Sequence, residues 1–196
     1  YEGTAFEDVL QTTISFLEAN PSEVIIMRIK ETYSAAENTM GRTFAQQVRI
    51  AIDAFPSDRF WTVNQIPTLR QCRGKIVIVD DFAGGAMGIR WADVHLEDHW
   101  RTSAKNKWTY VKNHLDEAMQ SSTSPTLFLT FSSFTSGIQA PRELARSMNP
   151  KLHDYVRGKK ETRLGIIVSD YPGPELIRDI ILTNSNFLRG QGTLGS

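Results

Sequence analysis

Four short and strongly hydrophobic segments recur along the sequence, and each has the length of a β-strand. They cover residues 24–30, 75–80, 127–132 and 165–170. Nearly continuous runs of β-branched and aromatic residues are typical of strands that are covered on both faces, as in parallel sheets. This feature restricts the chain to folds in which such strands lie between layers of helices.

Apolar residues at helical spacing separate these segments. The stripes run through residues 6–17, 44–55, 108–119 and 176–181. Asn20 and Pro21 end the first stripe, whereas Pro172 and Pro174 precede the last one, where proline is tolerated. Because strands and helices alternate, the sequence predicts a parallel sheet with right-handed crossovers.

The number of these units indicates the architecture. Four βα units are about half of an eight-unit barrel, which typically needs roughly 250 residues. We therefore predict an α/β fold for residues 1–185, namely an incomplete, partly open TIM-type (β/α) barrel. Residues 186–196 contain three glycines and no apolar stripe, which predicts a flexible tail. An open doubly wound sheet is the competing architecture, but no G-x-G-x-x-G or Walker loop follows any strand.

Composition excludes several classes of function. The chain has 22 basic and 22 acidic residues, and no basic run indicates a nucleic-acid partner. No run reaches the roughly 20 apolar residues of a transmembrane segment. Cys72 is the single cysteine, so a disulfide framework is excluded and a buried structural thiol is expected.

Polar residues stand where the predicted strands end. Lys30 ends the first strand, Asp80 and Asp81 the second, Ser132 the third and Asp170 the fourth. In a βα barrel these ends converge on one pocket, where catalytic groups reside. Strands also end in polar residues simply because the chain meets water there, and this alternative stays open.

The long connection over residues 82–107 carries a second group of candidates. Asp98 and Trp100 place a carboxylate beside an aromatic ring. A ring stacks on the C–H face of a sugar or polyol, and a carboxylate accepts protons from its hydroxyls. The alternative is a loop that packs its own tryptophans. Long loops at the catalytic end of a barrel usually carry substrate contacts.

The four histidines give no clear site of their own. His95 and His99 have the spacing i, i+4, but no third ligand stands at convincing spacing, so we predict no metal site. His114 and His153 lie in helical stretches among charged neighbours, which favours solvated faces.

Five blocks of this sequence resemble blocks of the bacterial-type phosphatidylinositol-specific phospholipases C, in the same order and at similar spacing. The blocks are residues 16–30, 73–79, 129–137, 148–155 and 163–171. The resemblance covers nearly the whole chain. It implies a partly open TIM-type barrel and a phosphodiesterase that acts on phosphatidylinositol at a membrane surface, outside the cell.

The chemistry that the resemblance implies is independent of metals and of other cofactors. One histidine deprotonates the inositol 2-hydroxyl, which attacks phosphorus in line. A second histidine protonates the departing diacylglycerol oxygen, and the first product is a cyclic inositol phosphate. Histidine suits both roles because its pKa lies near working pH. An arginine stabilises the charge on the phosphoryl oxygens.

The resemblance assigns roles to several candidate residues. Lys30 and Asp98 match residues that contact the inositol ring, and Trp100 stands where the family often has a stacking tyrosine. Asp170 matches the aspartate that orients the general-base histidine. Asp81 falls where the best-known members have an inositol-contacting arginine, and Arg90 is the alternative source of that guanidinium.

The two catalytic histidines and the phosphate-binding arginine of the family would precede Tyr1, and no histidine of this chain matches them. We therefore expect this chain alone to lack normal phospholipase activity. Three alternatives remain open: a non-catalytic module that binds inositol or a lipid head group, a metal-dependent glycerophosphodiester-type enzyme, and a glycosidase with Asp80 and Asp170 as opposed carboxylates.

Overall fold

The computed structural model describes residues 3–32, 41–121 and 125–184. The chain divides into two compact units, Tyr1–Val94 and His95–Ser196. Each unit has its own parallel sheet and its own hydrophobic core.

The first unit places strand β3 at the centre of a four-stranded sheet. Its helices are α1 (Phe6–Ala19), α2 (Phe44–Asp53) and α3 (Leu69–Cys72), and its strands are β1 (Ile25–Lys30), β2 (Phe60–Trp61), β3 (Ile76–Asp81) and β4 (Ile89–Arg90). β1 pairs with β3 over its full length, from Ile25 beside Ile76 to Lys30 beside Asp81. β2 pairs with the first residues of β3, and β4 pairs with Val79 and Asp80. All of these pairings are parallel.

One face of this sheet is buried under α1 and α2. Ile76 and Ile78 of β3 pack with Leu10 of α1 and Ile52 of α2. Such side chains contribute about 1.5–3 kcal/mol each when they are fully buried. Because side chains alternate along a strand, the odd-numbered residues of β1 face these helices and the even-numbered residues lie on the opposite face.

The second unit is a three-stranded parallel sheet with the order β5, β6, β7. Its strands are β5 (His95–Glu97), β6 (Phe128–Phe131) and β7 (Ile166–Val168), and its helices are α4 (Ala104–Gln120), α5 (Pro141–Val156) and α6 (Pro174–Leu182). Val111 and Leu115 of α4 pack with Leu152 and Val156 of α5 and with Leu176 of α6. Gly165 has a φ of +70°, and a Cβ there would lie 2.6 Å from the backbone oxygen of Phe128, so the residue directly before β7 must lack a side chain.

The predicted parallel α/β architecture is confirmed, and in the described residues neither sheet closes into a barrel. All four predicted strands are present, while β2, β4 and β5 are additional strands. The expectation that every strand is covered on both faces is wrong for β1, because Ile26 is 44% exposed. Cys72 is buried as expected.

The predictions for the tail and for the domain bounds stay predictions. The predicted tail, residues 186–196, lies outside the described residues. The assignment of residues 1–185 to one portion of a barrel domain stays a prediction. Among the described helices, none combines the length and the hydrophobicity needed to cross a membrane.

Candidate active site

Lys30 and Asp81 lie side by side at the carboxyl ends of β1 and β3. The register of the parallel ladder places Lys30 next to Asp81, and adjacent strands are about 4.8 Å apart. Both side chains lie on the face of the sheet that α1 and α2 leave uncovered. In the described part of the sheet β1 is an edge strand, and a groove of about 570 Å³ along this edge is lined by Lys30 and by residues of α1 and α2.

Arg28 is the residue that binds Asp81, and sequence reasoning missed it. Its Nε and Nη2 atoms donate hydrogen bonds to Oδ2 of Asp81 at 3.0 and 2.5 Å. Its guanidinium carbon lies 3.5 Å from the centre of the Trp91 ring. Arg28 is two residues before Lys30 and therefore shares its face of β1. That alternation is the sequence signal that places a second cation beside the site.

Asp80 has a structural contact on the other face of β3. Its side chain is buried, and Oδ2 accepts a hydrogen bond from the Met87 backbone N–H at 3.0 Å. The loop after β3 then returns along the strand at Gly88, whose φ is +146° and where a Cβ would lie 2.2 Å from the Ile78 oxygen. A carboxylate held in this way fits poorly with the nucleophile or base of a glycosidase.

Arg90 does not provide the guanidinium beside Asp81. Its Nε and Nη2 atoms bind the two carboxylate oxygens of Asp93 at 2.7 and 2.9 Å. This hydrogen bonding holds the pKa of the Asp93 carboxyl below its ordinary value. Arg28, on the strand β1 that pairs with β3, takes the place for which Arg90 was the alternative candidate.

In the second unit, Asp98 and Trp100 lie in the segment that directly follows β5, and both are exposed. Glu97, the last residue of β5, is buried and accepts hydrogen bonds from the His99 N–H at 3.0 Å and the Lys107 ammonium at 2.7 Å. These contacts fix the backbone on both sides of Asp98.

The segment that carries Trp100 is also tied to the loop after β6. The Thr135 N–H donates to the Trp100 oxygen at 2.6 Å, and the Thr102 N–H donates to the Thr135 oxygen at 3.2 Å. The exposed ring of Trp100 is therefore presented by two connected loops.

Asp170 follows β7, and its backbone is held by Asn149 of α5. The Asn149 Nδ2 donates to the backbone oxygens of Asp170 and Tyr171, both at 3.0 Å. Tyr171 has a φ of 46°, a left-handed conformation that is uncommon outside glycine. Asn149 is the second residue that sequence reasoning missed, since nothing in its local sequence links it to a strand end 21 residues away.

Ser132 lies beside this strand end. It is buried directly after β6, and its Oγ contacts the Ser169 Oγ at 2.8 Å and the Val168 oxygen at 3.2 Å. Its hydroxyl therefore joins β6 to β7 immediately before Asp170.

His95 and His114 form a pair inside the second unit. The Nδ1 of His95 lies 2.8 Å from the Nε2 of His114, whose Nδ1 lies 2.8 Å from the Thr130 Oγ1. The Nε2 of His95 is 3.2 Å from Glu117. Burial, and then the charge of His95, lower the pKa of His114. The expectation of a solvated His114 is wrong because its ring faces β5 and β6.

His153 is also partnered rather than solvated. Its Nε2 lies 2.9 Å from the Asp179 Oδ2, and this contact links α5 to α6. The Nδ1 of His99 lies 3.1 Å from the Oε1 of Glu97, while the side chain of His99 is 64% exposed.

The predicted site residues therefore fall into two sets. Lys30 and Asp81 are neighbours in the first unit. Asp98, Trp100 and Asp170 each follow a parallel strand of the second unit. The convergence of both sets on one cavity stays a prediction.

Comparison with known proteins supports the family resemblance. No protein-family model matches the chain. A 1-phosphatidylinositol phosphodiesterase of Listeria monocytogenes is 30% identical over 197 residues, which cover 90% of this chain and 59% of the relative. A phosphodiesterase of the same name from Staphylococcus aureus is 26% identical and is covered over 65% of its length. The chain thus spans about three fifths of these relatives.

The comparison with solved structures finds enzymes from the same two organisms. The phosphatidylinositol-specific phospholipase C of Listeria monocytogenes superposes with a TM-score of 0.74 at 27% identity, over 93% of this chain and 71% of that one. A structure of the Staphylococcus aureus enzyme gives 0.76 at 23% identity, over 94% and 72%, and shows the shared fold. The chain is therefore a homologue of the bacterial phosphatidylinositol-specific phospholipases C, in sequence as well as in fold.

Proposed function

We propose that this chain is part of a phosphodiesterase that cleaves phosphatidylinositol to diacylglycerol and a cyclic inositol phosphate. The observation that carries the proposal is the 30% identity to a 1-phosphatidylinositol phosphodiesterase over nine tenths of the chain. The parallel α/β fold with polar strand ends is consistent with it.

Several of the predicted residues have a chemistry that suits an inositol head group. The Lys30 ammonium would donate hydrogen bonds to inositol hydroxyls, and the Asp98 carboxylate would accept them. Trp100 would stack on the C–H face of the ring, and Asp81 would stand beside Lys30. The bracing of Trp100 by Thr135 supports this assignment, because a stacking ring must be held in place.

Asp170 would act on the general base rather than on the substrate. Its carboxylate would accept a hydrogen bond from a ring N–H of a histidine and stabilise the imidazolium that forms as the inositol 2-hydroxyl loses its proton. The hydroxyl oxygen then bonds to phosphorus while the bond from phosphorus to the diacylglycerol oxygen breaks, and a proton passes to that oxygen. The two hydrogen bonds from Asn149 support the positioning role of Asp170.

Contact with a lipid surface is supported by exposed apolar side chains after three neighbouring strands. Trp100, Ile138 and Tyr171 follow β5, β6 and β7 and are 56%, 95% and 64% exposed. Exposed apolar groups on loops that follow the carboxyl ends of neighbouring strands favour an interaction with lipid. Action on membranes outside the cell is part of the proposal and follows from the family resemblance.

The test measures binding and cleavage separately, on the longest form of the protein that its gene encodes. Vesicles of phosphatidylinositol in phosphatidylcholine are compared with phosphatidylcholine alone, and the cyclic product is followed by phosphorus NMR. We expect selective binding that Lys30→Met weakens and turnover that Asp170→Asn lowers about 10²–10⁴-fold. Lys151→Met, at an exposed lysine of α5, is the matched control.

Three outcomes separate the hypotheses. Release of the cyclic product supports the enzyme. Selective binding without turnover would support a non-catalytic head-group binding module instead. The absence of both would contradict the assignment.

A further inference from the structure

We propose that Arg28 is a positioning residue, which holds Asp81 and thereby keeps the Lys30 ammonium free for the substrate. The inference rests on the proposed function, because that function assigns the inositol contact to Lys30. It adds a residue that the family resemblance does not supply, and it explains how an aspartate can stand beside the substrate-binding lysine.

The starting point is a difference between the register and the ion pairing. Asp81 is the ladder neighbour of Lys30, whereas Arg28 is the neighbour of Val79. The carboxylate nevertheless binds Arg28, diagonally across the ladder, through both Nε and Nη2. Among the residues that the structure describes, Lys30 has no ion-pair partner. Asp81 therefore binds Arg28 and not Lys30, which is its neighbour in the ladder.

Trp91 accounts for this choice of partner. The guanidinium of Arg28 stacks on the Trp91 ring at 3.5 Å, so one face of the guanidinium is covered while its edge points to Asp81. Arg28 and Asp81 are 33% and 22% exposed, so water screens the pair only partly. A guanidinium offers a planar, permanently charged fork and stacks well on aromatic rings, whereas an ammonium is a strongly hydrated point charge. Both properties favour Arg28 over Lys30 as the partner of Asp81.

Loss of Arg28 would leave the Asp81 carboxylate without its present partner. Its carboxylate would then have Lys30 as the adjacent cation on the same face, about one strand spacing away. A paired ammonium has an increased pKa and must break a charge-assisted hydrogen bond before it can bind a hydroxyl. Arg28 therefore acts on substrate binding through Asp81, without contact with the substrate.

The test measures the reactivity of Lys30 directly. Acetic anhydride at pH 8 acetylates free amines, and mass spectrometry compares the rate at Lys30 with the rate at Lys151 in the same sample. Arg28→Met should slow the reaction at Lys30 about three- to tenfold, as expected for a newly adjacent carboxylate at a partly exposed site. Trp91→Leu should give a smaller decrease. Arg90→Met is the matched control, because it removes an arginine that binds Asp93 instead, and should leave the rate unchanged.

A double-mutant cycle separates positioning from a structural effect. In the Asp81→Asn background, loss of Arg28 should have no further effect on the Lys30 rate or on the affinity for phosphatidylinositol vesicles. A Lys30 rate that stays unchanged in a folded Arg28→Met protein overturns the proposal, as does an equal loss with and without Asp81. If Arg28→Met does not fold, Trp91→Leu with and without Asp81→Asn gives the same comparison.

The proposed function and the role of Arg28 are tested by different measurements. Absence of lipid binding and of turnover in every variant would count against that function, while the acetylation rates still report whether Arg28 keeps Lys30 free.

Discussion

The ammonium of Lys107, which is completely buried, lies 2.7 Å from the Oε2 of Glu97, the residue immediately before Asp98. The other carboxylate oxygen accepts the His99 backbone N–H. A buried ion pair thus anchors the beginning of the segment that carries the predicted head-group contacts Asp98 and Trp100.

Replacement of Lys107 by Met should destabilise the protein by about 3–5 kcal/mol, because it leaves the Glu97 carboxylate buried without its cation. Urea denaturation measures the free energy of unfolding. Lys105→Met, at an exposed position of the same helix, is the control and should change it by less than about 0.5 kcal/mol. The double replacement of Glu97 and Lys107 by Leu and Met should recover most of the loss. A single variant as stable as the control would contradict a strong role for the pair.

Acid should destabilise the protein through His114. Its pKa is lowered in the folded state by burial and by the charge of His95, whereas in the unfolded chain it is near 6.5. Below about pH 6.5 the unfolded state therefore binds more protons, and the free energy of unfolding falls with decreasing pH by up to about 1.4 kcal/mol per pH unit from this group. Thermal or urea unfolding between pH 7.5 and 5 measures the slope.

His114→Gln should reduce that slope, whatever its effect on stability at pH 7.5. Asn113→Gln, at the preceding exposed position, should keep the slope of the unmodified protein. Equal slopes in the two variants would show that another group carries the dependence on pH.

Replacement of Asn149 by Ala should destabilise the turn after β7. It removes two hydrogen bonds and leaves the oxygens of Asp170 and Tyr171 without this donor, at a cost of about 1–3 kcal/mol. Hydrogen exchange should accelerate at residues 169–172 more than elsewhere in the second unit. Asn113→Ala removes the same type of side chain from an exposed helix position and serves as the control. Uniform exchange across the unit would argue against a local role.

Replacement of Gly88 by Ala should prevent β4 from pairing with β3. The added Cβ would lie 2.2 Å from the Ile78 oxygen, at a φ of +146° that side-chain-bearing residues rarely adopt. We expect a loss of soluble folded protein, measured by circular dichroism and gel filtration. Gly173→Ala has no atom within 4 Å of the new Cβ and should fold normally. A folded Gly88→Ala protein with an unchanged melting temperature would contradict this packing.

The long hydrophobic strands and the amphipathic helices were predictable because each carries its own pattern. In β1 every second apolar residue packs against the core, whereas β3 buries a continuous apolar run. Helix α1 presents Leu10, Ile14 and Leu17 to the core. β2 and β4 have two residues each, too few for any periodicity. They form because the backbone of β3 offers them hydrogen-bonding groups to pair with. Around His153 the sequence indicated a helical stretch, but the apolar stripe and the bounds of helix α5 were not predicted, because Pro150 stands inside it.

The candidate site was predictable only in part. Lys30, Asp81 and Asp170 stand at strand ends, where the fold class indicates a site. The contacts of Arg28 with Asp81 and Trp91 link residues 53 and 63 positions apart and depend on the register of three strands. The burial of His114 was hidden because charged residues flank it in sequence, and that of Lys107 because lysine is ordinarily exposed.

The register of β1 has a consequence for synthesis of the protein. Ile25 pairs with Ile76, a residue that the ribosome adds 51 positions later. At about 5–20 residues per second, β1 leaves the ribosome about 3–10 s before its partner strand exists. During that interval its run of isoleucine and methionine has only α1 and, later, α2 to cover one of its faces, so early chaperone contact with the nascent chain should concentrate on this segment.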